Sequence, residues 1–128
     1  MSELSEVFKA LADPTRLRIL NLLLRSPFCV CELEETLGLP QPLLSRHLSY
    51  LRNRALVESW REGMRVNYKL NREHKYLNQL HAFLARASAD DAIGRSDVAK
   101  LSKLPFGPAK VRPSVARKRN RHKAEYGG

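Results

Sequence analysis

The spacing of apolar residues changes twice along this chain, and those changes limit the folds open to it. Leu4, Val7, Phe8 and Leu11 recur at i, i+3, i+4 and i+7, the spacing of an amphipathic helix. Asp13-Pro14 then restarts the chain, the aspartate as N-cap and the proline at the first helical position. Leu17, Leu20, Leu23 and Leu24 form the buried stripe of this second helix, with Ile19 and Leu22 flanking it. Ser26-Pro27 repeats the cap-plus-proline signal and opens a short third helix, which Gly38 ends at the C′ position. A fourth helix begins around Gln41-Pro42 and runs through Leu44, Leu48 and Leu51 to about Arg54. The period then falls to two: Val66, Tyr68 and Leu70 alternate with Arg65, Asn67 and Lys69, the pattern of a half-buried strand. Val57 to Arg61 is its partner, with the turn at Glu62-Gly63-Met64. From about Arg72 the helical period returns, with Tyr76, Leu77, Leu80, Phe83, Leu84 and Ala87 on one broad face.

The order is α-α-α-α-β-β-α, a mainly α fold with one small β-hairpin. Two helices joined by a glycine-containing turn make a helix-turn-helix, and the hairpin stands where a wing belongs. A core of under a hundred residues is marginal alone, so the first and last helices are expected to pack across a two-fold axis as a homodimer. The DNA-reading geometry of such a fold asks for the same dimer. On the fourth helix Leu44, Leu48 and Leu51 face the core. Gln41, Leu43, Ser45, Arg46 and His47 are left for the exposed side and the helix start. Glutamine can pair with adenine, serine can donate or accept, and arginine can take guanine or phosphate. Arg52 and Arg54 are placed for phosphates, and Arg61 and Arg65 flank the hairpin turn within reach of backbone or minor groove. The expected partner is double-stranded operator DNA.

Charge divides the chain. From Arg95 onward ten Lys/Arg stand against Asp97 and Glu125, so this stretch carries +8 of the formal +10. It also holds three of the seven prolines and few large apolar residues, too little to repay its ordering entropy. The expected division is a winged domain over 1–90 and a basic, disordered tail over 91–128, suited to a polyanion. No apolar run is long enough to span a bilayer, and Met1 to Glu6 lacks the features of a signal peptide, so the expected compartment is the cytoplasm. No P-loop, GxSxG, HExxH or paired-carboxylate cleft is visible, and His47, His74, His81 and His122 have no evident nucleophile partner. The chain reads as no enzyme, with no cofactor needed for DNA binding. An RNA-binding role through the tail is a rival, but the few aromatics sit in the core pattern and form no stacking platform.

Cys29-Val30-Cys31 is a second point of chemistry. Two cysteines so close cannot form a disulfide framework, which leaves metal, redox or plain packing. Thiolates favour soft, thiophilic ions. On a regular helix residues i and i+2 point about 200° apart, so two such thiols share one ion only if the turn opens. On one turn an intrachain bridge would be strained, making persulfides or intermolecular links the more credible oxidised forms.

Leu11-Ala12-Asp13-Pro14-Thr15-Arg16-Leu17-Arg18-Ile19-Leu20, Cys29-Val30-Cys31-Glu32-Leu33, Gln41-Pro42 with Ser45-Arg46-His47-Leu48, and Arg61-Glu62-Gly63 together resemble the ArsR/SmtB family of metalloregulatory repressors. The resemblance covers about residues 4–88. It implies a homodimer, joined through the first and last helices, that leaves its operator when an inducer binds. Pro40 departs from the pattern, since many relatives carry a capping serine there. Arsenic-responsive members carry Cys-Val-Cys at this place, usually with a third cysteine where this chain has Glu34. The resemblance therefore implies arsenite or antimonite as inducer, held by Cys29 and Cys31 with water or another ligand. Another soft metal or a redox or reactive-sulfur signal stays open on the same scaffold. His74 and His81 do not match the family's second sensor site on the last helix.

Overall fold

The computed structural model describes residues 1–101. They fold in the order α1 (Ser2–Leu11), α2 (Pro14–Leu23), β1 (Phe28–Cys29), α3 (Val30–Leu37), α4 (Gln41–Asn53), β2 (Val57–Glu62), β3 (Arg65–Leu70), α5 (Lys75–Ala89) and α6 (Ala92–Leu101). The strands form one antiparallel sheet in the order β1-β3-β2. Helices and sheet close on one core that includes Ile19, Leu20, Phe28, Leu33, Leu44, Leu48, Leu51 and Leu56, all buried. This is a winged helix-turn-helix.

Local signals set several boundaries. Asp13, in extended backbone, accepts from the Arg16 amide at 3.0 Å, and Pro14 opens α2 behind it. Gly38 ends α3 with φ 68°, a left-handed conformation that costs glycine little, and its N–H reaches Glu34 O at 2.9 Å. Gly63, at φ 60°, takes the first place of the two-residue turn between β2 and β3.

Three expectations give way to long-range contacts. The third helix begins at Val30 rather than at Ser26-Pro27, because Phe28 and Cys29 are drawn into the sheet. There they pair with Tyr68 and Asn67 of β3. Leu17 is not part of the buried stripe of α2: it is 40% exposed, while Ile19, Leu20, Leu22 and Leu23 are buried. The domain does not stop at residue 90. α6 packs on α2, where the Asp97 carboxylate, 1% exposed, accepts from Arg18 Nε and Nη2, each at 2.9 Å. Asn21 Nδ2 donates to Gly94 O at 3.2 Å, and a Cβ on Gly94 would stand 2.5 Å from Ser88 O, so only glycine permits this approach. Arg95 and Lys100 thus belong to a folded helix. The remaining tail, 102–128, lies outside the described residues. Among those that are described, no helix is long and apolar enough to cross a membrane.

Candidate DNA-reading face and cysteine pair

Leu44, Leu48 and Leu51 are fully buried and seat α4 on the core. Arg46 lies about 200° round the axis from Leu44 and is exposed, as are Gln41 and Arg52. Leu43, Ser45 and His47 are half-buried along the flanks. Gln41 Nε2 donates to Ser45 Oγ at 2.7 Å, so these two polar groups act as one unit at the helix start. His47 has a different setting. Its Nδ1 lies 3.3 Å from Arg16 Nη1, and a guanidinium only donates, so the contact requires the tautomer with its proton on Nε2. Arg16 also donates to Ala10 O at 2.8 Å and Lys9 O at 3.1 Å and stacks 4.0 Å from the Tyr50 ring centroid. It is a hub joining α1, α2 and α4, a role that charge and spacing alone did not reveal. The Asp13-Pro14-Thr15-Arg16 cap was the available signal, since it places Arg16 in the first turn facing α1.

Arg54 turns inward as well, donating to Glu6 Oε1 at 3.2 Å and lying over the other side of Tyr50, 3.5 Å from its centroid. Arg52 Nη1 reaches Ser59 Oγ at 3.4 Å and so spans from α4 to the hairpin. On the hairpin Arg61 is exposed and pairs across the strands with Val66. Arg65 stands on the far side of the turn, but its guanidinium is directed at the cysteine pair. Nη2 donates to Cys29 Sγ at 3.1 Å and lies 3.7 Å from Glu32 Oε1.

Cys29 is the N-cap of α3, in extended backbone (φ −82°, ψ 165°), and Cys31 is two places on in the first turn. An extended cap residue and the second helical residue need not diverge as two helical residues do. Their Cα atoms lie 5.4 Å apart, within disulfide span, and the structure joins their sulfurs. This corrects both geometric expectations for the pair: the sulfurs converge without opening α3, and an intrachain bridge forms. Cys29 is 1% exposed and Cys31 is exposed, so the pair is reached from one side. Glu32 completes a reciprocal capping box: its amide donates to Cys29 Sγ at 3.3 Å, and its Oε1 accepts from Cys29 N–H at 2.8 Å. Glu32 is wholly buried and its Oε2 has no hydrogen-bond partner. Burial pushes its carboxyl pKa up, against the pull of the Cys29 amide and of Arg65. Glu34, where relatives carry a third cysteine, is exposed, and no group of three or more His, Cys, Asp or Glu among the described residues is arranged for a metal ion.

Comparison with known proteins agrees with this architecture. Residues 13–59 match the model of the bacterial regulatory protein, arsR family. The chain is 42% identical over 78 residues to the arsenical resistance operon repressor of Staphylococcus xylosus, a match covering 60% of this chain and 75% of the relative. It is 47% identical over 68 residues to the arsenic resistance transcriptional regulator ArsR1 of Pseudomonas putida, over 52% of this chain and about half (53%) of that one. Among solved structures, HlyU from Vibrio cholerae superposes with a TM-score of 0.56 at 34% identity, covering 64% of this chain and 91% of that one. These relatives and this fold are those of DNA-binding transcriptional regulators, not of enzymes. The chain belongs to the ArsR family of bacterial regulatory proteins.

Proposed function

We propose that this regulator is a cytoplasmic homodimeric repressor that holds operator DNA through α4 and the wing. It releases the DNA when arsenite or antimonite binds Cys29 and Cys31. One observation carries the inducer reading: both sulfurs already converge at the start of α3, beside the hairpin. Two reduced thiols and arsenous acid give a dithiolate–arsenic hydroxide and two waters, so the pair needs only oxygen as third ligand. The printed roles of the Staphylococcus and Pseudomonas relatives support a metalloid. On the DNA side, Gln41, Ser45 and Arg46 take base edges, with Leu43 and His47 beside them. Arg52 and Arg61 take phosphates, and the basic tail adds sequence-independent attraction. Phe8 on α1 and Phe83 on α5, 54% and 65% exposed, supply the apolar faces for the dimer.

The disulfide favours a second reading, in which the same pair answers to oxidation. A hydroperoxide takes two electrons and two protons from the thiols and leaves as water or alcohol and water. An oxidised pair has no thiolate to offer arsenic, so the two signals compete for the same sulfurs.

The test is binding of reduced protein to a duplex from its own promoter, with and without arsenite. Wild type should bind as a dimer by sedimentation and release the duplex in arsenite. Cys29→Ser and Cys31→Ser should each bind normally and fail to release. Release by a double mutant, or a wild type that answers only to hydrogen peroxide, would overturn the metalloid reading.

A further inference from the structure

We infer that Arg65 is a positioning residue that carries the bonding state of Cys29 to the wing. The inference rests on the proposed chemistry at the cysteine pair and assigns that chemistry its route to DNA.

Three contacts converge on the route. Cys29 is itself a strand residue, paired with Asn67 of β3, so the sensor cysteine lies in the same sheet as the wing. Arg65 opens β3 two residues earlier, immediately after the Gly63-Met64 turn, and its side chain reaches back to Cys29 Sγ at 3.1 Å. Behind both stands Glu32, wholly buried, which binds the Cys29 amide through the oxygen that also faces Arg65. A buried carboxylate is costly to leave without a cation, so Glu32 holds the guanidinium in place from the core side. One side chain thus ties the moving tip of the hairpin to the start of α3, across 36 positions of sequence. Met64, at the turn itself, is 94% exposed, so the tip has little of its own to fix it.

The sulfur is the adjustable member of this cluster. A reduced Cys29 offers Arg65 its full set of lone pairs and, as thiolate, a full charge. Forming an S–As bond expels the thiol proton as water with a hydroxide from arsenic, and forming the S–S bond sends two electrons to a hydroperoxide. In both products the sulfur is a neutral, poorer acceptor, and charge-assisted hydrogen bonds are about twice as strong as neutral ones. Glu32 then holds Arg65 with less help, the tip loosens, and the wing loses its register on the duplex. No unwinding of α3 is needed. Trp60, the chain's one tryptophan, is 1% exposed on β2 and pairs with Asn67, so it reports on this sheet directly.

The experiment compares wild type, Arg65→Gln and Arg65→Lys as full-length reduced dimers. Operator affinity and Trp60 fluorescence are measured before and after arsenite, and in parallel before and after hydrogen peroxide. Arg65→Gln should start about tenfold weaker, close to the arsenite-treated wild type, as expected for loss of a hydrogen bond to a charged group. It should still bind one arsenite per chain, yet show no further loss of affinity and no fluorescence change. Arg65→Lys, which keeps the charge without the fork, should recover part of both the affinity and the response. If Arg65→Gln binds weakly but still drops by the full wild-type factor on treatment, Arg65 is a plain DNA contact and the coupling is wrong. The same follows if Arg65→Gln binds and releases like wild type. If wild type ignores arsenite but releases in peroxide, the metalloid reading fails and the coupling is judged on the peroxide series. If neither agent changes wild-type affinity, both ideas fall.

Discussion

The two helices of the helix-turn-helix begin in opposite ways. α3 starts with a closed end: Cys29 and Glu32 bond each other's backbone amides, the carboxylate is buried, and Arg65 covers the sulfur. α4 starts with an open end: Pro40 has no side-chain bond to the first turn, Pro42 has no N–H, and the polar groups at the start are exposed or half-exposed. Helix starts carry unsatisfied donors and partial positive charge, which favour anions. At α3 that demand is met from within the protein, so the end is sensitive to what happens to a sulfur. At α4 it is left for another molecule, which under the proposed function is the duplex. One end suits sensing and the other suits reading, and Leu37 to Pro40 is all that separates them.

The largest effect should come from the open end. Ser45→Ala and Arg46→Ala should each weaken operator binding by about 1–3 kcal/mol while leaving thermal stability and dimerisation near wild type. Arg46 faces away from the buried stripe, so its removal opens no cavity. Losing Ser45 also frees Gln41 from its 2.7 Å bond, so preference should relax at more than one base pair. Wild-type operator affinity in both variants would mean that α4 does not read bases, and the contrast between the two ends would lose its meaning.

A smaller effect is expected from the other end of α4, which is what allows its start to be open. Arg54 ties that end to α1 through Glu6 and sits on Tyr50. The hydrogen bond from Arg54, with Lys9 nearby, lowers the Glu6 carboxyl pKa from its ordinary 4.5. A depressed carboxyl contributes stability that is present above its unfolded pKa and is lost as pH falls through its folded one. Glu6 is fully exposed to solvent, so the contribution is slight. Glu6→Gln should therefore match wild type in urea unfolding below the folded pKa and fall slightly behind it above pH 4.5. A gap that grows on acidification instead would show that this ion pair does not hold α4 in place.

How much of this was legible in the sequence depends on how far apart the contacting residues are. Asp13-Pro14, Gly38 and Gly63 act on their own turns, and each boundary they announce is where the helix or hairpin ends. Leu44, Leu48 and Leu51 lie at helical spacing and are all buried. By contrast, Ser26-Pro27 is as good a helix signal as Asp13-Pro14, yet β3 pairs with Phe28 and Cys29 from about forty residues away and delays the helix to Val30. α6 was hidden for the same reason. Its charges resemble the tail's, and what folds it is Asp97 meeting Arg18, 79 positions apart. In the candidate site, the residue types were visible but not their directions. Arg65 and Arg61 flank one turn with equal claims on DNA, and only the third strand shows that Arg65 turns to the cysteine.

The smallest effect tests whether the open end of α4 is where the structure places it. Pro40→Ser introduces the capping side chain that many relatives carry. With Pro42 at the second helical position, the hydroxyl has one amide to satisfy, that of Leu43 at the third. A serine cap is worth about 1 kcal/mol, by the usual cost of its removal. Replacing proline, whose φ of −63° is unstrained here, also loosens the unfolded chain, at a cost of about 0.4–1 kcal/mol. The two terms oppose each other, so the midpoint of urea unfolding should stay within about 0.5 kcal/mol of wild type. The local consequence is not cancelled. The unfolded-state term is spread over the whole transition, whereas the new bond protects one amide against opening of the first turn. Hydrogen exchange at Leu43 should therefore slow while exchange at Leu48, deep in the same helix, stays unchanged. If Leu43 exchanges as before, serine at 40 does not cap the helix. α4 would then begin elsewhere, and Gln41, Ser45 and Arg46 would have to be reassigned around the new start.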